Sequence, residues 1–349
     1  MAAIGPGMRP GAARAASSRL DRCVRTWAAL AALATATARP ALADPDDDLS
    51  DWSHSGHASY ATYASTSVSR RATPARAEHR GLSLELTGAA FVALGATEYL
   101  GRFGLALPTR DFRVGGDGYF GADTYAGGED KLGHAWDTMI LARASSRALR
   151  AGGWRPGAAA ALGAGLAWSF MLAHELEDGV DCSFSPGDIM GNTAGALFGV
   201  ATELSPGLDR LLDYRLQYWP SAGYLAGLQQ PHAARDRLPF EDYGGQTYLL
   251  ALHALALPGV DPQGAWWAKS LDLVVGFHIE NPRPEATPPM SGVVTTQHLF
   301  VGVSLNLQGL FDQLSPGSTA HAIGHGLAEV VNVPFTTLPL LETSRSYQP

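Results

Sequence analysis

Asp130-Lys131-Leu132-Gly133-His134 opens one apolar, helix-length segment, and Ser185-Pro186-Gly187-Asp188, followed by Asn192 and Gly195, opens another. Between them a third such segment ends His174-Glu175-Leu176-Glu177-Asp178-Gly179. Three weakly polar helices therefore carry carboxylate, amide and imidazole groups close to their ends. Such groups are costly to bury unpaired, so they either meet one another or face water. Asp130 and His134, His174 and Asp178, and Asp188 and Asn192 each stand four residues apart, one turn above each other on one helix face.

Working outward, the pattern predicts helices over 84–105, 130–151, 157–177 and 186–204. Glu129 and Asp130 suit the positive end of the second helix dipole, and Arg147 and Arg150 suit its negative end. Ser185 and Pro186 read as an N-cap and first helical residue of the fourth. Beyond about residue 240 the period changes to two. Leu299, Val301, Val303, Leu305 and Leu307 alternate with more polar neighbours, Leu271 to Ile279 does the same, and 246–257 is a third apolar run. Three or four antiparallel strands are expected, then a short Gly/His/Ala segment and an extended tail from Val333. That is too few for a lone outer-membrane barrel, which needs at least about eight. The expected fold class is α+β: an N-terminal four-helix bundle over 82–215, then a small antiparallel β-sheet with a C-terminal tail over 240–349.

The N-terminal 43 residues read as an export signal. Arg19, Arg22 and Arg25 precede an apolar stretch over 27–38, and Ala41-Leu42-Ala43 supplies the small-x-small cleavage pattern. Residues 44–81, rich in Ser, Ala, Thr, Arg and Asp, read as a disordered leader. No lipobox precedes Cys23, so a lipid anchor is not expected. Cleavage would leave Cys182 alone, with no internal disulfide. A net charge of −8 argues against a nucleic-acid partner. The apolar run 158–173 falls short of the roughly 20 residues that a spanning helix needs, and mean hydropathy is only −0.02. A packed bundle, free or resting on a membrane, is favoured over an integral one.

The candidate site is Asp130, His134, Glu175, Asp178, Asp188 and Asn192, with Lys131 as an ion-pair partner to Glu175 or Asp178. Carboxylate and imidazole on facing helices can bind a divalent metal, or pair a general base with its orienting acid. They can equally form a buried structural network. No cofactor motif is present, whether zinc-binding His-Glu-x-x-His or P-loop.

These residues resemble the YfiM-like family of predicted periplasmic lipoproteins, a domain of unknown function. The pattern Asp-Lys-x-x-His is met by Asp130, Lys131 and His134, and Glu-x-x-Asp-Gly by Glu175, Asp178 and Gly179. Ser185, Asp188, Asn192 and Gly195 complete it, over roughly residues 85–205. The missing lipobox and a short segment between Gly179 and Ser185 depart from the pattern. The pattern is also similar to the polytopic VanZ-like membrane family, whose longer apolar spans are lacking here. The resemblance implies an exported envelope protein with a structural or interaction role at the periplasm or outer membrane, partnered by a membrane or envelope component. Two alternatives stand beside it: a metal-dependent or acid/base hydrolase acting on a lipid or cell-wall substrate, and an integral VanZ-like protein.

Overall fold

The computed structural model describes residues 74–105, 110–115, 118–228, 241–257, 259–260, 266–282, 294–314 and 319–348. The export signal, Cys23 and most of the expected leader lie outside these residues. Helices come first: α1 (Pro74–Phe103), α2 (Glu129–Ala151), α3 (Pro156–Asp181) and α4 (Pro186–Leu204). Residues 74–81, expected to belong to the leader, form the first turns of α1. Their Ala, Arg and Glu residues are strong helix formers even without an apolar stripe. The start of α4 is as its sequence implies, because the Ser185 hydroxyl accepts a hydrogen bond from the Asp188 amide at 3.2 Å and Pro186 follows.

Tight packing belongs mainly to α2, α3 and α4. Glycines bring their backbones together: a Cβ at Gly163 of α3 would stand 2.6 Å from the Ser146 nitrogen of α2. On α4, a Cβ at Gly191 would stand 2.4 Å from the Lys131 carbonyl oxygen, and one at Gly195 2.0 Å from that of Ala135. Leu141, Ala142, Ala164, Ala167, Met171 and Ala196 fill the shared core, which α1 joins through Phe91. α1 leaves Leu82, Leu86 and Val92 exposed, and a Cβ at its Gly81 or Gly88 would meet nothing within 4 Å. It lies on the other three rather than interlocking with them. α3 is the one described helix long and apolar enough to cross a membrane by length and composition.

A short helix, α5 (Pro206–Asp209), leads to β1 (Leu212–Tyr218), and α6 (Ala222–Leu228) follows. Then come β2 (Gln246–His253), β3 (Leu271–Glu280) and β4 (Thr295–Leu305). The chain ends with α7 (Leu307–Leu314), α8 (Thr319–Ala328), β5 (Val331–Asn332) and β6 (Thr337–Tyr347). One six-stranded sheet results, in the order β5-β1-β2-β3-β4-β6, antiparallel except where β5 runs parallel to β1. One feature differs from expectation and two refine it. The sheet starts earlier, at β1, whose alternate residues are the charged Asp213 and Arg215. The Gly/His/Ala segment is helical (α8), and the C-terminal tail is a paired strand. A lone sequence cannot reveal that Asp213 and Arg215 neutralise each other inside.

The sheet is rolled. Thr337 at the start of β6 donates to the Gln217 side chain of β1 at 3.2 Å, although four strand spacings, about 19 Å when flat, separate these strands. Likewise Ser304 of β4 donates to Asn332 of β5 at 3.2 Å. The concave face holds a small apolar cluster of Leu249, Ala251, Val274 and Phe300 beside an ionic one. Arg215, 1% exposed, bonds Asp272 at 2.8 Å and Asp213 at 2.5 Å. His253 approaches the same two acids at 2.9 and 3.0 Å, and Gln308 donates to Asp213 at 2.8 Å.

Helices and sheet are joined by specific bonds. The Trp136 indole donates to the Val330 carbonyl at 2.8 Å, the Tyr214 hydroxyl to that of Leu132 at 2.9 Å, and the Gln297 amide to that of Gly127 at 2.7 Å. The arginines of α2 find acids as well as a helix terminus: Arg143 bonds Asp209 at 2.6 Å and Arg147 bonds Glu329 at 2.8 Å, with Glu203 between them.

Candidate functional site

The three motif segments converge where the N-terminal turns of α2 and α4 meet the C-terminal turns of α3. Lys131, 2% exposed, lies between Asp130 at 2.7 Å and Asp188 at 2.9 Å. Its partners are therefore these two acids, rather than Glu175 or Asp178. The close approach at Gly187, where a Cβ would stand 2.6 Å from the Lys131 Cε, shapes this slot.

Next to the ion pair is an imidazole-centred group. His134 Nδ1 lies 3.2 Å from the Asn192 amide oxygen and 3.5 Å from Glu175 Oε1, and its Nε2 lies 3.8 Å from Asp188. Thr138 donates to the same Asn192 oxygen at 2.9 Å. His174 pairs closely with Glu98 of α1 and, through Nε2, with Asp178 at 3.3 Å. The two imidazole rings are 5.8 Å apart. Fully buried Glu175 accepts a 3.3 Å bond from the Ser185 amide through Oε2, while its Oε1 has no hydrogen-bond donor among the described residues. The buried Asn192 Nδ2 has no acceptor among the described residues. Single ligand atoms of His134, His174 and Glu175 lie within 4.8 Å of one another.

Burial dominates the electrostatics. It pushes the Glu175 carboxyl up to about 8, reinforced by the charge on Asp188, and it lowers His134 against the pull of Asp188. Both therefore lean to their neutral forms. Burial also raises Asp137 to about 7, with His174 opposing and Glu98 adding to the shift.

All seven sequence-predicted residues thus come together, and three further ones belong with them. His174 is the ring next to Glu175. Asp137 could have been found, since it stands seven residues after Asp130 on the same helix face. Glu98 carries no local signal, because only tertiary packing brings α1 to the site. A second His/acid group, His278, Glu280 and His298, lies on β3 and β4, where the two rings stack 4.4 Å apart.

Asp137 gives a pH prediction. Its folded carboxyl binds a proton more tightly than the unfolded one, so the associated stability is fully present below about pH 4. It is lost as the pH rises through about 7. Asp137→Asn is therefore expected to stabilise the protein at pH 8 by up to about 4 kcal/mol. It should change little at pH 4, as read by urea unfolding at both values.

Fold and site define a mixed helix-and-sheet protein with an acid–imidazole cluster built from three helix ends. Within it, residues 116–203 match the family model described as predicted periplasmic lipoprotein (DUF2279). That span holds every cluster residue except Glu98 and stops before the sheet. An exported protein, periplasmic or outer-membrane-associated, fits this description. The family has no known function, and similarity to VanZ-like proteins is not among the findings. No curated protein and no solved structure matches the chain.

Proposed function

We propose that the chain is an envelope protein in which His134, His174 and Glu175 hold a divalent cation for hydrolysis of a lipid or cell-wall substrate. The observation that carries this is the buried Glu175 Oε1, with no hydrogen-bond donor among the described residues and 3.5 Å from His134 Nδ1, in a group where single ligand atoms of His134, His174 and Glu175 lie within 4.8 Å of one another. Two imidazoles and a carboxylate are the donor set of catalytic zinc sites that keep a position open. The environment suits it: His134 is held towards the neutral form that ligation needs, and Glu98 on Nδ1 orients His174 so that Nε2, beside Asp178, is the nitrogen offered to the cation. A cation there supplies Lewis-acid polarisation of a carbonyl or phosphoryl oxygen. Asp188, 3.8 Å from His134 Nε2, is placed to hold that ring or take a proton from it.

A second reading, a structural network without a cation, is favoured by one observation: Lys131 is held by two acids and needs no ligand. Metal analysis of the purified mature protein separates the two. About one equivalent of zinc or manganese, lost in Glu175→Gln together with phospholipid or peptidoglycan hydrolysis, is the expected result. Metal-free protein whose Glu175→Gln form differs only in melting temperature would support the network instead.

A further inference from the structure

The rolled sheet buries an ionic cluster and leaves an apolar face open. In a water-soluble sheet with one covered face, apolar residues point inward and polar ones outward. Here the concave, buried face holds Asp213, Arg215, His253 and Asp272 beside the small Leu249, Ala251, Val274 and Phe300 cluster. The opposite face exposes Leu250 of β2, Leu273 and Val275 of β3, Leu299 and Val301 of β4, and Leu341 of β6. These are register neighbours: Leu250 pairs with Val275, Val275 with Val301, and Val301 with Leu341, so the apolar surface is continuous across four strands. Its exposure is 40–47% on β2 to β4 and 74% at Leu341.

We propose that this convex face is seated in the acyl layer of a lipid bilayer. Three observations single out lipid. First, because the sheet is rolled, its apolar side chains radiate from a curved surface. A second copy would cover two or three neighbouring strands and leave the others wet, whereas acyl chains cover them all. Second, exposed aromatic residues border the strands: Trp267 just before β3, Trp219 just after β1, and Phe335 just before β6. Trp219 and Phe335 stack edge to face at 4.9 Å. Aromatic side chains favour the boundary between acyl chains and water. Third, the exposed apolar positions of β3 and β4 lie together in one half of the strands, at Leu273, Val275, Leu299, Val301 and Leu305, while Ile279 and Gln297 in the other half are covered by the helical unit, so the face can enter acyl chains without burying the helices. The face continues into an apolar groove of about 320 Å³ below α2, lined by Leu132, Tyr214, Tyr248, Val275, Phe277 and Leu299. An acyl chain can follow the sheet into this groove. The six described strands are fewer than a complete membrane barrel needs, and the helical unit, bonded through Gln297 and Tyr214, sits at the membrane edge.

The test uses the full mature protein and vesicles of phosphatidylethanolamine and phosphatidylglycerol. It is expected to float with the vesicles and resist carbonate extraction, and Val275→Asp with Val301→Asp should cut the floated fraction at least tenfold. Because those aspartates could also impair folding, nitroxide labels on Val275→Cys and Val301→Cys, in a Cys182→Ser background, give a second measure. Oxygen should relax both labels more than a water-soluble nickel chelate does, with the reverse at Arg110→Cys. Nickel-dominated relaxation at 275 and 301 overturns the proposal. So does a monodisperse particle in lipid-free buffer that does not float, including a dimer dispersed by the same aspartates. These readouts do not depend on cation binding, so they stand or fall separately from the hydrolase reading.

Discussion

Lys131→Met is expected to destabilise the protein by about 3–5 kcal/mol, a large share of the total stability of an ordinary domain. The ammonium lies 2.7 Å from Asp130 and 2.9 Å from Asp188, and the side chains of both lysine and Asp130 are 2% exposed. Methionine fills much of the same volume but leaves two carboxylates with no cation between them. The penalty comes from those stranded charges rather than from the lost pair itself, because burying both ions was already costly. Two consequences separate this account from simple repacking. The penalty should shrink as the pH falls and the carboxylates take up protons, and Lys131→Met with Asp188→Asn should recover part of it. Urea unfolding of the two variants at pH 4 and pH 7.5 measures both effects. Equal penalties at both pH values would count against the stranded charges.

Gly195→Ala should cost about 3 kcal/mol, although alanine is the better helix former by nearly 1 kcal/mol. A Cβ at Gly195 would stand 2.0 Å from the Ala135 carbonyl oxygen and 2.8 Å from its carbon. Both belong to the α2 backbone, which cannot rotate away as a side chain could. The helices must separate, and with them the contacts of Asn192 with His134 and Thr138, 3.2 and 2.9 Å at present. Loss of cation binding should therefore accompany the loss of stability if the proposed site is correct. Gly199→Ala and Gly165→Ala are the controls. At Gly199 the nearest atoms are 3.2 Å away, so the cost should be small. At Gly165 nothing lies within 4 Å, and the substitution should stabilise by about 0.5–1 kcal/mol. Thermal melts of the three variants order them; a tolerated Gly195→Ala would show that the helix contact yields.

Much of the helical half is legible in residue spacing. The turns carrying Asp130, His134, Glu175, Asp188 and Asn192 could be placed at helix ends because cap, proline and dipole signals are local. Gly195 could be recognised as part of a pattern, but not as the point of closest backbone approach. Glu98 stayed hidden, since its only role is a contact between distant helices. Strands β3 and β4 show through their alternation. β1 does not, because Asp213 and Arg215 look like a solvated face until Asp272 and His253 are seen opposite them.

By itself, the sequence determined the mixed helix-and-sheet class, the helix ends that carry the acids and imidazoles, and the export pattern, because these follow from nearest-neighbour chemistry and period. Tertiary structure alone decided which acids hold Lys131, that Glu175 keeps an oxygen facing His134, and that the sheet rolls with the Asp213, Arg215 and Asp272 cluster inside and a leucine and valine face outside. An alternating strand reads the same with either face buried. Only the roll, which closes β6 and β5 back onto β1 and β4, settles which face meets its surroundings.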